Sequence, residues 1–191
     1  MFNIIDSTIA NRRKAMDKVE EERYENGQLN FRITFNEDSA IRLLERWDTN
    51  GQLIVRETYK DGLRDGISEI WDSTGKLRVR RSYKNGDYDG LSEEWHDNGQ
   101  LRSRCTYKNG ELDGPYEEWY DNGQVAERSH YKNGKQDGLV EEWYENGQQS
   151  LRANYKDDQL DGLYESWDEI GTLLRRRNYK NGNKVALNLE K

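Results

Sequence analysis

The sequence predicts an all-β protein, an elongated repeat array of antiparallel β-hairpins built on a 24-residue unit. All six tryptophans lie 24 residues apart, at Trp47, Trp71, Trp95, Trp119, Trp143 and Trp167. Six tyrosines keep the same period, at Tyr59, Tyr83, Tyr107, Tyr131, Tyr155 and Tyr179. A fixed period between about 20 and 50 residues is typical of repeat arrays, in which each unit buries its face only against its neighbours.

Each copy contains two stretches in which apolar and polar residues alternate, separated by Asn-Gly or Asp-Gly dipeptides. One clean copy runs from Tyr83 to Thr106. Alternation with a period of two, bounded by such dipeptides, predicts β-hairpins. The 17 glycines of the chain all fall into three registers of the repeat. We therefore assign every glycine to a turn.

The length of the loop around Asn98-Gly99 decides which side chains share a face of the sheet. A two-residue loop places Trp95 opposite Arg102, whereas a three-residue loop with left-handed Gly99 places Trp95 opposite Leu101. The three-residue loop with a bulge is predicted, because a one-residue slip would split the apolar set between the two faces. It gathers on one face Leu91, Trp95, Leu101, Cys105 and Tyr107, and leaves on the other Ser92, Glu94, Arg102, Arg104 and Thr106.

The two ends of the chain differ from the repeats. Residues 7–22 contain no glycine or proline and carry Ile9, Met16 and Val19 at helical spacing, which predicts a short amphipathic capping helix. Val185, Leu187 and Leu189 alternate with polar residues, as in a strand. The chain thus divides into an N-terminal helical cap (1–20), a repeat domain of six to seven copies (21–182) and a C-terminal capping strand (183–191).

Composition limits the classes of function. Hydrophobic residues are 32% of the chain and charged residues 35%, with a net charge of −7. A general nucleic-acid binder needs a net basic face, so this class is disfavoured. A single cysteine, the lack of a basic leader and the lack of an apolar run of about 18 residues favour a soluble cytoplasmic protein.

The repeated pattern Tyr-Lys-Asn-Gly-x-x-Asp-Gly-x-x-x-x-Trp-x-x-x-Gly-x-Leu resembles the MORN repeat in its bacterial variant form. That form is found in proteins labelled YwqK-like antitoxins, and the resemblance covers about residues 21–182. It implies a non-enzymatic protein-binding module, an antitoxin or immunity protein that neutralises a toxin by direct binding. Two other classes stay open: a peripheral membrane scaffold that binds anionic lipid, and a purely structural assembly scaffold.

Two charged columns accompany the tryptophans. Glutamates recur two residues before each tryptophan, on the aromatic face, where each either accepts a hydrogen bond from a Tyr hydroxyl, a Trp N–H or a turn amide, or contributes to an acidic stripe. Arginines are predicted on the opposite face, where they either pair with Glu94, Glu118 and Glu142 or bind an acidic protein, anionic lipid or phosphate. The candidate binding residues are Arg56, Arg80, Arg104, Arg128, Arg152 and Arg176.

The tryptophan and tyrosine columns are predicted to form the structural core rather than a ligand-stacking groove. No catalytic residue, metal site or cofactor is predicted. His96 and His130 occupy different positions of the repeat, and other copies carry unrelated residues at the position of Cys105. Exposed edge strands at the two ends would allow the chain to associate with itself.

Overall fold

The computed structural model describes residues 18–36 and 40–186, and this part of the chain forms one open antiparallel sheet. Sheet order follows the chain from β1 to β10 and from β12 to β16, while the short β11 pairs with β10. The described strands are β1 (Lys18–Arg23), β2 (Leu29–Asn36), β3 (Ile41–Trp47), β4 (Leu53–Lys60), β5 (Leu63–Trp71), β6 (Leu77–Lys84), β7 (Asp87–Trp95), β8 (Leu101–Lys108), β9 (Glu111–Trp119), β10 (Val125–Lys132), β11 (Lys135–Gln136), β12 (Gly138–Trp143), β13 (Gln149–Lys156), β14 (Gln159–Trp167), β15 (Leu173–Lys180) and β16 (Asn183–Val185).

Two kinds of hairpin alternate along the sheet. The loop Asp97-Asn98-Gly99 is closed by the bond from the His96 N–H to the Gln100 carbonyl, and Gly99 has φ +88°. Trp95 lies opposite Leu101, so the predicted three-residue loop is confirmed. The other loop is the two-residue pair Asn85-Gly86, whose positive φ values of 50° and 96° define a type I′ turn.

The third register of glycines does not lie in turns, which corrects the sequence prediction for Gly66, Gly90, Gly114, Gly138 and Gly162. Gly90, with φ +104°, lies inside β7, where Arg81 pairs with Ser92 and Tyr83 pairs with Tyr88. Residues 89–91 of β7 therefore lie opposite Ser82 alone and form a bulge. A Cβ built on Gly90 would lie 3.1 Å from the Ser82 Cβ. Glycine is required here both for its φ and for the close approach of the neighbouring strand.

A second bulge changes which side chains share a face. Glu94 pairs with Ser103 and Trp95 with Leu101, so Arg102 is an extra residue that reverses the alternation. Leu91, Trp95 and Leu101 lie on one face, as predicted. Cys105 and Tyr107 lie on the other face with Ser92, whereas Arg104 and Thr106 lie on the tryptophan side, opposite Glu93 and Leu91. The sequence prediction was wrong for these residues because it carried simple alternation through the bulge.

The predicted N-terminal helix is wrong where the structure describes it, since Lys18–Arg23 form strand β1. The rest of that segment, with Ile9 and Met16, lies outside the described residues. At the other end Asn183–Val185 form β16, which pairs with β15. Leu187 and Leu189 lie outside the described residues.

Side chains in the turns link each repeat to the next. The Asn98 Nδ2 donates to the Asp121 carbonyl at 2.5 Å, and the Asn122 Nδ2 donates to the Glu145 carbonyl at 3.0 Å. In the other row of turns, at the opposite ends of the strands, the Asp89 carboxylate accepts the Asn109 N–H at 3.3 Å. The two rows of turns are thereby held in register, which fixes the positions of the strands between them.

Candidate interaction surface

One face of the sheet, here called the tryptophan face, carries an unbroken cross-strand row of alternating charges. Each member lies directly opposite the next on the neighbouring strand, and each 24-residue unit contributes one glutamate and one arginine. The row is Glu21, Arg32, Glu45, Arg56, Glu69, Arg80, Glu93, Arg104, Glu117, Arg128, Glu141, Arg152, Glu165 and Arg176. We call it the charge ladder.

Three glutamates of the charge ladder, Glu45, Glu69 and Glu93, are held between two guanidinium groups. Glu93 accepts from Arg104 at 3.1 Å (Nε) and 3.0 Å (Nη2), and Arg80 lies 3.6 Å away on the other side. The Glu93 side chain is only 8% exposed, whereas that of Arg104 is 47% exposed. A carboxylate this buried needs charged partners, and the two arginines supply them.

Four arginines of the charge ladder, Arg32, Arg56, Arg80 and Arg128, also lie over tryptophan rings. The Arg80 guanidinium carbon lies 5.8 Å from the centre of the Trp95 ring, and Arg56 lies 5.7 Å from that of Trp71. Such cation–π contacts stabilise the charge against the ring face. The arginines thus lie on the face opposite to the predicted one and pair with Glu93, Glu117 and Glu141, one residue from the predicted partners. The positive charge of these arginines is largely neutralised by the neighbouring glutamates.

The opposite face, here called the tyrosine face, differs from repeat to repeat. Its central tyrosines stack in a row, with ring centres 4.9 Å apart between Tyr83 and Tyr88 and 5.0 Å apart between Tyr88 and Tyr107. The position of Cys105 is held in other copies by Glu57, Arg81, Ser129 and Ala153. A surface whose units share a backbone but not side chains can present a pattern specific to one partner.

Three glutamates lie side by side on the tyrosine face, and we call them the acidic row. Glu127 of β10 is directly opposite both Glu118 of β9 and Glu142 of β12. Glu118 accepts the Tyr116 hydroxyl and Glu127 accepts the Ser129 hydroxyl, but among the described residues no cation pairs with any of the three. Glu142 is exposed, but partial desolvation of its carboxyl and then the Glu127 carboxylate raise its pKa. Like charges directly opposite each other destabilise a sheet.

The acidic row lies in a groove of about 610 Å³ whose wall is partly aromatic and apolar. Tyr120 and Tyr144 line it, with Leu151 beyond. Their hydroxyls donate to the carbonyls of Trp143 and Trp167, at 2.7 Å and 2.9 Å, so the rings are fixed in place. Rigid tyrosines next to unpaired carboxylates are a surface suited to holding a basic side chain.

Cys105 and His96, which were considered as catalytic residues, lie in environments that suit a structural role. Burial raises the pKa of the Cys105 thiol, which disfavours the reactive thiolate. His96 Nε2 lies 2.8 Å from the Trp119 carbonyl oxygen, in the row of contacts between turns. Within residues 18–36 and 40–186 there is no cluster of His, Cys, Asp or Glu side chains that could hold a metal ion. Nor does this part of the chain contain a helix long and apolar enough to span a bilayer.

Sequence reasoning missed the acidic row. Glu118 and Glu142 were predicted on the face opposite to the tryptophans, which is correct, but as partners of arginines that in fact lie on the tryptophan face. Glu127 was not predicted to have a role. The signal that could have found the row is the pairing register across the bulge, which sets Glu118, Glu127 and Glu142 in line. The Trp and Tyr columns are partly buried on opposite faces of a single sheet layer, so they do not meet in one core.

A comparison with protein families matches the MORN repeat variant in seven segments, at residues 16–37, 43–61, 64–85, 88–109, 112–133, 136–157 and 160–181. These segments span most of the chain and follow its hairpins. MORN repeats are generally non-catalytic modules that interact with proteins or membranes. No curated protein matches this chain. The pattern of turns, tryptophans and glycines, together with seven matched copies, shows that the chain belongs to the MORN repeat variant family.

Proposed function

We propose that this chain is a protein-binding module whose partner docks on the tyrosine face and inserts basic side chains at the acidic row. The observation that carries the proposal is the line of Glu118, Glu127 and Glu142, which has no cation among the described residues and is flanked by fixed tyrosines. A lysine or arginine from the partner would relieve the repulsion between these carboxylates. Binding would therefore be favoured by a charge pairing that the isolated chain does not make within its described residues.

The tryptophan face is the less suitable of the two surfaces. Its arginines are already paired with glutamates and four of them lie over tryptophan rings, so binding an anionic partner there would require breaking those contacts. The anionic-lipid alternative depends on the same arginines, and the net charge of −7 opposes it. The tyrosine face is therefore the surface that we place in contact with the partner.

Within this class we propose that the chain acts as an antitoxin or immunity protein in a bacterial cytoplasm, neutralising a toxin by direct binding. Support comes from the resemblance of its repeats to those of YwqK-like antitoxins. Neutralisation by binding requires a specific surface and no chemistry, and the acidic row with its surrounding tyrosines offers such a surface.

The test is capture of the partner from the native cell by tagged wild-type protein, followed by titration of the purified partner against variants. We expect Glu127→Gln with Glu142→Gln to weaken binding by about tenfold or more, because two attractive charges are removed. Glu111→Gln with Glu169→Gln removes the same charge from exposed residues outside the groove and serves as the control. Equal affinity of all three proteins would refute the assignment of the tyrosine face.

Two further measurements separate the finer alternatives. If the captured partner is a toxin, its expression arrests growth, and wild-type protein but not the Glu127/Glu142 variant restores it. A captured partner without toxicity would rule out the antitoxin role while leaving the binding surface intact. Flotation with phosphatidylglycerol vesicles tests the lipid alternative, and strong flotation that the Arg80→Ala variant loses would favour that alternative over ours.

A further inference from the structure

Among the described residues, each end of the sheet has an edge strand without a partner on its outer side. At one end β1 (Lys18–Arg23) pairs with β2 alone in this part of the chain. At the other end β16 pairs with Asn178–Lys180 alone, so the stretch Leu173–Arg177 of β15 has no outer strand partner among the described residues. Unpaired N–H and C=O groups along such an edge are a template for a further strand.

The two open edges carry opposite charges. Residues 175–177 of β15 are three consecutive arginines, and residues 20–22 of β1 are three consecutive glutamates. All six are exposed. The Arg175 side chain makes no ion pair or hydrogen bond within the described part of the chain, and the Glu20 side chain has only a contact of 3.9 Å with Lys18. The edges are therefore complementary in charge.

The repeat period also brings these charges into register. Glu21 lies 24 residues before Glu45 and belongs to the glutamate column of the charge ladder, while Arg176 is its last arginine. If a strand joined β15 as β14 joins β13, where Arg152 is opposite Glu165, a glutamate of that column would be placed opposite Arg176. The chain's own residue at this position of the period is Leu189, which has no charge.

We propose that copies of this chain associate head to tail, with β1 of one copy added to the open edge of β15 in the next. Strand directions alternate along the sheet, so β1 runs in the same direction as β14 and meets β15 antiparallel. Residues 20–22 of β1 join the free stretch of β15, so that Arg175 faces Glu22, Arg176 faces Glu21 and Arg177 faces Glu20 of the second copy. Asn178–Lys180 keep their pairing with β16, so Lys18 and Val19 of the second copy do not pair with β15. The charge ladder continues across the junction without a break.

Such an interface is heterologous, since two different surfaces meet, and it generates a ring or an open chain of copies rather than a closed dimer. Exposed ion pairs are individually weak and are screened by salt. Association is therefore expected to increase with protein concentration and to be lost at high ionic strength.

The test is sedimentation velocity of the full chain at about 0.05 M and about 1 M salt, where the Debye length falls from more than 10 Å to about 3 Å. We expect oligomers of increasing size at low salt and monomers at high salt. Arg175→Glu with Arg177→Glu should be monomeric in both, and so should Glu20→Arg with Glu22→Arg. Lys108→Glu with Lys132→Glu, at exposed positions away from the edges, should associate as the wild type does.

Mixing the two edge variants is the decisive measurement. The acidic β15 of one variant then meets the basic β1 of the other, and their unchanged edges also fit, so association should return at low salt. Failure of the mixture to associate, or a wild type that is monomeric at every concentration, would overturn the proposal. A truncation after Ala186 tests whether the chain's own last residues cover β15. Association by the truncated protein alone would overturn it as well.

Discussion

At the scale of single residues, Trp95 shows how a thin sheet uses its aromatic side chains. The ring is partly buried, with Leu101 opposite and the Arg80 guanidinium over it. We expect Trp95→Ala to lower the free energy of unfolding by about 2–3 kcal/mol, less than for a fully enclosed tryptophan. Urea denaturation measures this, with Leu91→Ala, a residue 41% exposed, as the milder comparison. A loss below about 1 kcal/mol would show that the ring adds little to the fold.

Glu142 provides a prediction with the opposite sign. Its raised pKa, caused by partial desolvation and then by the Glu127 carboxylate, means that the folded state holds the proton more tightly than the unfolded chain does. Ionised Glu142 therefore lowers stability above its folded pKa, and this penalty disappears as the pH falls through that pKa. Glu142 is exposed, so water screens this repulsion, and we expect Glu142→Gln to raise the free energy of unfolding by no more than about 0.5 kcal/mol at pH 7.

Denaturation at two pH values distinguishes this cause from a change in packing. The gain from Glu142→Gln should vanish below the ordinary glutamate pKa, where Glu142 is protonated in both states. Glu111→Gln, at an exposed turn-side position, should change stability little at either pH. A gain that is the same at both pH values would mean that repulsion within the acidic row is not its source.

At the scale of elements, the bulge around Gly90 can be separated from an ordinary turn glycine. Both Gly90 and Gly99 have positive φ, at 104° and 88°, but only Gly90 has a neighbour, the Ser82 Cβ, within 3.1 Å of a built Cβ. We expect Gly99→Ala to cost about 1 kcal/mol through backbone strain alone. Gly90→Ala should cost about 2–3 kcal/mol, since strain and overlap add. Equal losses in thermal or urea denaturation would exclude the steric contribution.

The charge ladder makes adjacent arginines unequal. Arg104 bonds the buried Glu93, whereas Arg102 is the extra residue of the bulge and is exposed. Removing one partner of a fully buried pair costs about 3–5 kcal/mol, but water screens the exposed half of Arg104, so we expect about 1 kcal/mol for Arg104→Ala. Arg102→Ala should stay below about 0.5 kcal/mol. Identical values for the two variants, measured by urea denaturation, would mean that Glu93 does not depend on its arginine.

The bulges and the charge ladder also show which parts of the structure can be predicted from the sequence. The period, the hairpins and the three-residue loop at Asn98-Gly99 can be predicted, because turn chemistry and period-two alternation are local signals. The faces of Cys105, Tyr107 and Arg104 cannot be predicted by alternation alone, since the bulge at Arg102 reverses it. The acidic row cannot be predicted by alternation either, because its members come together only through pairing between strands.

At the scale of the whole molecule, stability is expected to vary along the array. Each unit contacts only its neighbours, and the first and last described strands have a described neighbour on one side only. Every residue of β1 is exposed, whereas the central strands bury Ser92, Glu93 and Cys105. We expect backbone amides in β1 and β16 to exchange hydrogen much faster than those in β7 and β8. Uniform protection along the chain, measured by hydrogen exchange in monomeric protein, would contradict this.

The composition of the repeat unit has a consequence for how such arrays change in length. Every 24 residues bring one acid and one base to the charge ladder, at fixed positions on neighbouring strands. Duplicating or deleting a whole unit therefore leaves the ladder neutral, with a glutamate at one end and an arginine at the other. Arrays with more or fewer whole units therefore keep the same charges at their two ends.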